Sequence, residues 1–85
     1  MIYHVEFMPQ ALKNIEELDK IIARRILKKA KWLAGNFEDV TLEPLSGNLK
    51  GLFKLCIGDY RAIYSVRQQR IIVHLIGHRR DIYKK

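Results

Sequence analysis

The chain opens with an alternation of apolar and polar residues that predicts a β-strand. From Ile2 to Phe7, every second side chain, namely Tyr3, Val5 and Phe7, falls on one apolar face. Pro9 then opens a region in which apolar residues recur every three or four positions, which is the period of an amphipathic helix. The apolar stripe consists of Leu12, Ile15, Leu18, Ile22, Ile26, Ala30 and Leu33.

The helical region is predicted to contain two helices. One helix over the whole stripe would be long for a chain of 85 residues. Asp19 is a good N-cap residue, so we predict a break near residues 18–20 and two helices packed as a hairpin. Gly35-Asn36 is typical of a helix end and predicts where the second helix stops.

Three runs rich in Ile, Val, Tyr and Phe follow a predicted connecting loop at residues 36–51. They cover residues 52–57, 60–66 and 71–77 and are separated by short polar turns, which predicts an antiparallel meander. The third run, IIVHLIG, is nearly all apolar, so we place it centrally with the N-terminal strand beside it. Together these elements predict a single α+β domain over residues 1–85.

The turn between the first two runs determines which side chains share a face. Gly58 as the first residue of a two-residue turn favours type II′, which pairs Cys56 with Arg61. The open face then carries two cations, Lys54 and Arg61, on a surface that the helices do not cover. The opposite face is the predicted core face, and it consists of Phe53, Leu55, Ile57, Tyr60, Ala62, Tyr64 and Val66.

The net charge of +7 comes entirely from the second part of the chain. Residues 1–49 contain seven Lys/Arg and seven Asp/Glu, whereas residues 50–85 contain nine Lys/Arg and two acidic residues. A one-sided positive field attracts polyanions such as nucleic acid, with an affinity that falls steeply with salt. Basic surfaces also aid solubility or bind acidic proteins, so charge alone leaves these alternatives open.

Several function classes find no support in the residues. No segment approaches the roughly 20 apolar residues of a membrane span, and the N-terminus lacks signal-peptide features, so we expect a cytoplasmic protein that binds no membrane. Cys56 is the only cysteine, so it forms no internal disulfide, and nothing nearby in sequence would activate it as a nucleophile. His74 and His78 would lie about 13 Å apart on an extended strand, so we expect no metal and no cofactor.

The remaining candidate site is a basic cluster around one sheet face. RNA is cleaved when its own 2′-OH lines up behind a phosphorus, so an enzyme supplies positioning, charge stabilisation and proton transfer. Guanidinium groups can stabilise the phosphorane, a tyrosine can stack on a base, and histidine is the usual proton-transfer group. The alternative is a solvated strand end with a packed tyrosine. The cluster contains Lys54, Arg61, His78, Arg79, Arg80 and Tyr83.

Two segments resemble a known protein family. GLFKLCIGDYRAIY at residues 51–64 and IIVHLIGHRRDIY at residues 71–83 resemble the RelE/ParE superfamily of bacterial and archaeal toxins. The GDYR turn and the terminal HRxxxY are the most specific parts, and the preceding strand and helices fit the same order. The resemblance implies a β-α-α-β-β-β fold, with a helical hairpin packed on one face of a twisted antiparallel sheet.

The resemblance also implies an activity and a set of site residues. RelE-like members cleave mRNA in the ribosomal A site by 2′-OH attack, giving a 2′,3′-cyclic phosphate, whereas ParE-like members inhibit DNA gyrase and lack the catalytic set. Where RelE enzymes usually place a second basic residue this chain has Cys56, which makes His78 the candidate general base. The implied catalytic residues are Lys54, Arg61, Arg79 and Tyr83, and the implied RNA-binding residues are Lys50, His78 and Arg80.

We therefore expect the toxin of a type II toxin–antitoxin system. Its implied activity is that of a metal-independent endoribonuclease that acts on mRNA bound to the 70S ribosome and so inhibits translation. The implied protein partner is a small RelB-like antitoxin whose helix would bind the toxin, in a dimer or heterotetramer. The alternatives are a ParE-like gyrase inhibitor and a non-catalytic RNA-binding module.

Overall fold

The computed structural model describes residues 2–45 and 51–82, and these residues have the predicted order β-α-α-β-β-β. The helices are α1 (Pro9–Glu16) and α2 (Lys20–Gly35), and a single 3₁₀ turn follows at Phe37–Asp39. The strands are β1 (His4–Phe7), β2 (Phe53–Ile57), β3 (Tyr60–Arg67) and β4 (Arg70–His78). The predicted α+β class is confirmed.

The helical region divides where the sequence predicts. Asp19 is the N-cap of α2, and its side chain accepts a hydrogen bond of 3.2 Å from the backbone N–H of Ile21. This bond satisfies one of the donors that the first turn of a helix leaves without a partner. At the other end, the side-chain amide of Asn36 donates to the carbonyl of Trp32 at 2.8 Å and closes the last turn.

The sheet has the strand order β1-β4-β3-β2, so β4 lies between β1 and β3 as predicted. Strands β2, β3 and β4 form the predicted antiparallel meander. β1, however, pairs with β4 in parallel, so the sheet is mixed and not entirely antiparallel. Alternation of side chains is identical in parallel and antiparallel strands, and so the sequence pattern identified β1 without fixing its direction.

The core lies between the helices and one face of the sheet. Tyr64 is 1% exposed, and it packs in the same buried cluster as Ile26 and Leu33 of α2. The remaining buried members of this cluster are Ala11, Leu55, Ala62, Ile71, Val73 and Ile76. The predicted core face of β2 and β3 is therefore confirmed. No helix covers the opposite face, called the open face, although Ile63 on it is only 6% exposed.

Part of the predicted loop adds to the outer edge of β2. The backbone N–H of Lys54 donates to the carbonyl of Glu43, and that of Leu45 donates to the carbonyl of Leu52, both at 3.0 Å. Burial raises the pKa of Tyr64 above its usual value, and the carboxylate of Glu43 on this segment raises it further. The Tyr64 phenol is therefore held in its neutral form.

The pairing between β3 and β4 shifts by one residue in the middle of the two strands. Tyr64 pairs with Val73 whereas Ile63 pairs with Leu75, so His74 is the extra residue of a β-bulge. Beyond the end of β1, the backbone N–H of Ile76 donates to the side-chain carbonyl of Asn14 at 3.0 Å. The Asn14 side chain of α1 thus provides a hydrogen-bond partner for a part of β4 that lies beyond the last residue of β1.

Candidate functional site

The candidate site is built on the two-residue turn that joins β2 to β3. Gly58 has φ +59°, whereas Asp59 does not have a positive φ, which is the pattern of a type II′ turn. The register pairs Ile57 with Tyr60 and Cys56 with Arg61, as predicted. Glycine suits the first turn position because a side chain there would strain the left-handed backbone.

The hairpin register places two cations on the open face. Lys54 pairs with Ile63 and Cys56 pairs with Arg61, so Lys54 and Arg61 are diagonal neighbours across the two strands. Both side chains are half-buried, and the Cys56 thiol between them is free. The predicted facing of these residues is confirmed.

Arg61 is folded back over the turn. Its Nη1 group donates to the carbonyl oxygens of Gly58 and Tyr60, each at 2.9 Å. A guanidinium has five N–H donors in a planar fork, so Nε and Nη2 remain available. Neither group has a hydrogen-bond partner among the described residues, and both are suited to phosphate oxygens.

Arg79 is attached to the same turn from the end of β4. Its backbone N–H donates to the Asp59 carbonyl at 2.7 Å, and its Nε lies 3.7 Å from the Asp59 carboxylate. Both side chains of this ion pair are more than half exposed, so the pair is weak and the guanidinium can exchange partners. The structure therefore brings Arg61 and Arg79 together on one turn, although they are 18 positions apart.

His78 belongs to the same end of the sheet but not to the open face. It pairs with Tyr60 across β3 and β4, and their rings meet edge-on with centroids 5.3 Å apart. Since Tyr60 packs against the core cluster, His78 lies on the helix side of the sheet. The expectation that the whole cluster shares one face is wrong for His78. Gly77 pairs with Arg61 and lies on the open face, and because neighbouring residues of a strand point to opposite faces, His78 points to the other one.

The ring of His78 accepts a hydrogen bond from the backbone. Its Nδ1 accepts the backbone N–H of Arg80 at 3.1 Å. The neutral ring therefore carries its proton on Nε2, by inference from this bond, and presents a donor at that atom. A general base at His78 would therefore have to release the bond from Arg80 first, and that role stays a prediction from the sequence.

The other predicted site residues lie in or beyond the C-terminal turn. Arg80 is exposed in this turn, and Ile82 closes it by donating its backbone N–H to the His78 carbonyl at 3.0 Å. Ile82 lies against the open face, because a Cβ built on Gly77 would be 3.6 Å from its Cβ. Lys50 and Tyr83, which the sequence assigns to RNA binding and catalysis, lie outside the described residues.

Neither a metal site nor a membrane span emerges from the described part of the chain. Across residues 2–45 and 51–82, no three His, Cys, Asp or Glu side chains are grouped closely enough to hold an ion. None of the helices in those ranges is long and apolar enough to cross a membrane. A cleft of about 530 Å³ lies at the opposite end of the sheet by Tyr3 and Arg70, away from the basic cluster.

Sequence reasoning missed a basic flank of α2 that lies beside the turn. The ammonium group of Lys29 is 4.0 Å from the ring centroid of Trp32, and the tryptophan is 45% exposed. Counting charge by halves of the chain hid this helix, because acidic residues before it and after it, within residues 6–19 and 38–43, cancel its cations. Counting by predicted helix would have found it, since α2 contains six Lys/Arg and no Asp/Glu.

Comparison with known proteins identifies a sequence family and several similar folds. The family described as the ParE toxin of the type II toxin–antitoxin system parDE matches residues 5–83. A chain of the archaeal RelE–RelB complex from Pyrococcus horikoshii OT3 is 30% identical, with a TM-score of 0.69 over 93% of this chain and 97% of that one. No curated protein sequence matches significantly.

Two further structures share the fold at lower identity. The toxin–antitoxin complex RelBE2 from Mycobacterium tuberculosis contains a chain that is 23% identical, with a TM-score of 0.82 over 92% of this chain and 99% of that chain. The chromosomal ParDE system from P. aeruginosa contains one that is 12% identical, with a TM-score of 0.73 over 91% and 96%. At these identities the likeness concerns the fold alone.

Proposed function

The chain belongs to the ParE toxin family of type II toxin–antitoxin systems, within the RelE/ParE superfamily, and from the basic residues at its open face we propose that it is a metal-independent endoribonuclease. Its proposed substrate is mRNA in the A site of the 70S ribosome, in the cytoplasm, and its proposed effect is to stop translation. One observation carries the proposal: Arg61 and Arg79 are both fixed to the Gly58-Asp59 turn, beside the open face that bears Lys54.

The proposed reaction is an internal transesterification of RNA. The ribose 2′-oxygen bonds to the adjacent phosphorus while the bond from phosphorus to the 5′-oxygen breaks, which leaves a 2′,3′-cyclic phosphate and a 5′-hydroxyl. Negative charge accumulates on the phosphorane in between. Guanidiniums placed next to that charge stabilise the transition state. This is the role proposed for Arg61, whose guanidinium the turn carbonyls hold, and for Arg79, whose backbone is anchored to the same turn.

Proton transfer is divided among the remaining residues. The 2′-hydroxyl gives up a proton as its oxygen bonds to phosphorus, and the leaving 5′-oxygen takes one up. The Nε2 donor of His78, at this end of the sheet, is proposed for a phosphate contact. Lys54 is proposed to hold the phosphate or take part in proton transfer. Tyr83 is proposed from its sequence position to orient a base or the scissile phosphate, and Lys50 and Arg80 to bind RNA. No cofactor is required.

A RelB-like antitoxin is the proposed protein partner. A complex that contains RelB is the structure that shares 30% identity with this chain. An antitoxin that covers the basic face would both neutralise its charge and exclude RNA, so one interaction would silence the enzyme. The proposed assembly of toxin and antitoxin is a dimer or a heterotetramer.

Inhibition of DNA gyrase is a second candidate, because the matching sequence family carries the ParE description. A gyrase inhibitor would act by binding and would not require two arginines fixed beside a lysine on an open sheet face. The retained Lys54, Arg61 and Arg79 therefore favour the nuclease. A non-catalytic RNA-binding module would use the same cations and differs from the nuclease in leaving mRNA intact.

In vitro translation of a defined mRNA, followed by mapping of the RNA ends, tests the proposal. We expect cleavage within the A-site codon, with a cyclic phosphate at the 3′ end, and no cleavage of the same mRNA without ribosomes. Intact mRNA, together with blocked DNA supercoiling in a parallel gyrase assay, would overturn the nuclease in favour of gyrase inhibition.

Arginine variants test the assigned roles. Arg61→Ala and Arg79→Ala should each lower the cleavage rate by about 10²- to 10³-fold, the usual cost of losing one preorganised charge-stabilising donor. Arg67→Ala is the matched control, since Arg67 lies on the same strand at the opposite end. The free energy of unfolding in urea should change by less than about 0.5 kcal/mol for Arg79→Ala and Arg67→Ala. For Arg61→Ala it should fall by about 1 kcal/mol, because two hydrogen bonds to the turn are lost. Equal cleavage by all three variants would remove Arg61 and Arg79 from the active site.

A further inference from the structure

Helix α2 presents an unbalanced charge on its exposed surface. Its six cations are Lys20, Arg24, Arg25, Lys28, Lys29 and Lys31, and it has no acidic residue. Neither the catalytic chemistry nor the core uses these side chains. Their positions on the helix separate them into two flanks, only one of which also carries an exposed aromatic ring.

The flank next to β2 combines three cations with Trp32. Arg25, Lys28 and Trp32 recur at spacings of three and four, so they form one stripe along the helix. Together with Lys29 and Ile57 they line a groove of about 350 Å³. Trp32 provides a flat apolar surface there, and the ammonium of Lys29 lies 4.0 Å from its ring.

This groove continues to the candidate active site. A second depression of about 260 Å³ is lined by Ile22, Arg25, Ile57, Gly58, Asp59 and Tyr60. The two share Arg25 and Ile57 and so form one path from the Gly58-Asp59 turn to Trp32. The turn at one end of this path is the one that holds Arg61 and Arg79.

We propose that this path, the α2 groove, binds the single-stranded RNA that flanks the scissile phosphate. A base stacks on Trp32, and the backbone phosphates bind Arg25 and Lys28 between the indole and the turn. Stacking platforms next to cations are how proteins hold single strands without reading their sequence. The inference rests on the proposed function, because it extends the same RNA strand beyond the cleavage site.

The distribution of exposed apolar residues argues against a membrane as the ligand. Leu27 is 43% exposed, but it lines a different groove together with Phe7 and Lys31, on the side of α2 that faces β1. The exposed large apolar residues of α2 are Ile21, Leu27 and Trp32. Ile21 and Trp32 lie on one stripe with Arg25 and Lys28 between them, and Leu27 lies on the other flank, so cations interrupt the apolar residues and no continuous apolar face of an interfacial helix forms. An acidic peptide would satisfy the charge but would leave the path to the catalytic turn unexplained.

Trp32 is the only tryptophan of the chain, so it reports directly on its own groove. The probe is a 2′-O-methyl RNA oligonucleotide of about 12 nucleotides, a length within the usual range for single-strand sites, which cannot be cleaved. Titration should quench Trp32 fluorescence, and the affinity should fall with the logarithm of salt. Binding is followed independently by a label on the RNA. If the RNA saturates the protein and Trp32 fluorescence does not change, the proposal is overturned.

Matched charge reversals locate the interaction on one flank. Lys28→Glu should weaken binding of the labelled oligonucleotide about tenfold, and Trp32→Ala should do the same through lost stacking. Lys31→Glu is the control, with the same charge change on the other flank, and should weaken binding less than threefold. Trp32→Phe should recover most of the affinity. Equal effects of Lys28→Glu and Lys31→Glu would overturn the assignment, as general attraction to a basic helix would then be sufficient.

Two further probes separate the competing ligands. The first probe is a polyglutamate peptide at the same concentration of charges as the oligonucleotide. If it quenches Trp32 fluorescence and displaces the oligonucleotide, the proposed RNA ligand is overturned in favour of an acidic protein. A blue shift of Trp32 with anionic vesicles, and no response to RNA, would overturn it in favour of a membrane.

Failure of this inference is distinguishable from failure of the nuclease proposal. If mRNA is cleaved in translation while the oligonucleotide leaves Trp32 unchanged, the nuclease stands and the α2 groove is overturned. If the oligonucleotide binds at Trp32 while mRNA stays intact, the groove is supported as an RNA site and the cleavage reaction fails.

Discussion

The two faces of the β2–β3 hairpin differ in almost every physical property, although they are built from alternate residues. On the helix side, Ala62 and Tyr64 are 2% and 1% exposed and belong to the core. On the open side, Lys54, Cys56 and Arg61 are half-buried, and Ile63 is a buried apolar residue of the hairpin there. A shift of one residue in register would exchange these two sets.

Because of this difference, neighbouring residues of one strand should affect different properties, one the stability of the fold and the next the proposed activity. The helix side should govern the free energy of unfolding, and the open side should govern the proposed cleavage with little effect on folding. The turn belongs to both, because Gly58 closes the hairpin and its carbonyl holds Arg61. Substitutions on the helix side, in the turn and on the open side should therefore give three distinct results.

The largest expected effect is on the helix side. Tyr64→Ala should lower the free energy of unfolding by about 3–5 kcal/mol, since it removes a large ring from the centre of the core. Urea denaturation followed by circular dichroism measures this change. Lys54→Ala, across the sheet, should change stability by less than about 0.5 kcal/mol. A comparable loss in both variants would mean that the two faces are not distinct.

Tyr64→Phe is the control for the ring itself, and it adds a pH signature. The pKa of Tyr64 is raised in the folded state above its ordinary value of 10.0, so the folded chain keeps the proton longer than the unfolded chain. The stability that this provides is complete below pH 10 and declines as pH rises through the folded pKa. The phenylalanine variant should retain stability near neutral pH to within about 1 kcal/mol and lack this alkaline decline.

A smaller effect is expected at the turn. Gly58→Ala should cost about 1–2 kcal/mol, because φ is +59° and an added Cβ meets no atom within 4 Å, so the strain is that of the backbone alone. Gly35→Ala is the matched control, with equal free space but no positive φ, and should be neutral or stabilising. Cleavage should fall only for Gly58→Ala, because relaxation of the strained turn would move the backbone carbonyl that holds Arg61. Equal stability of the two variants would contradict the turn assignment.

The hairpin also illustrates how much of this site is predictable from sequence. The Gly58-Asp59 pair and the alternation around it predicted the register, and with it the face shared by Lys54 and Arg61. The side of His78 was not predictable, because it depends on a bulge at His74 that shifts the later residues of β4. The direction of β1 and the hydrogen bond from Arg80 to His78 likewise depend on tertiary packing, on which periodicity carries no information.

The smallest expected effect tests the open face at its least basic position. Cys56 is half-buried directly opposite Arg61, where RelE-like enzymes usually have a basic residue. Cys56→Lys should preserve or raise cleavage, because it adds a cation beside the phosphate, and should cost less than about 1 kcal/mol through repulsion of Arg61. Cys56→Ser is the uncharged control of equal size. Unfolding of the lysine variant alone would show that Cys56 is a core residue, whereas loss of cleavage in a folded lysine variant would show that the phosphate does not bind at this face.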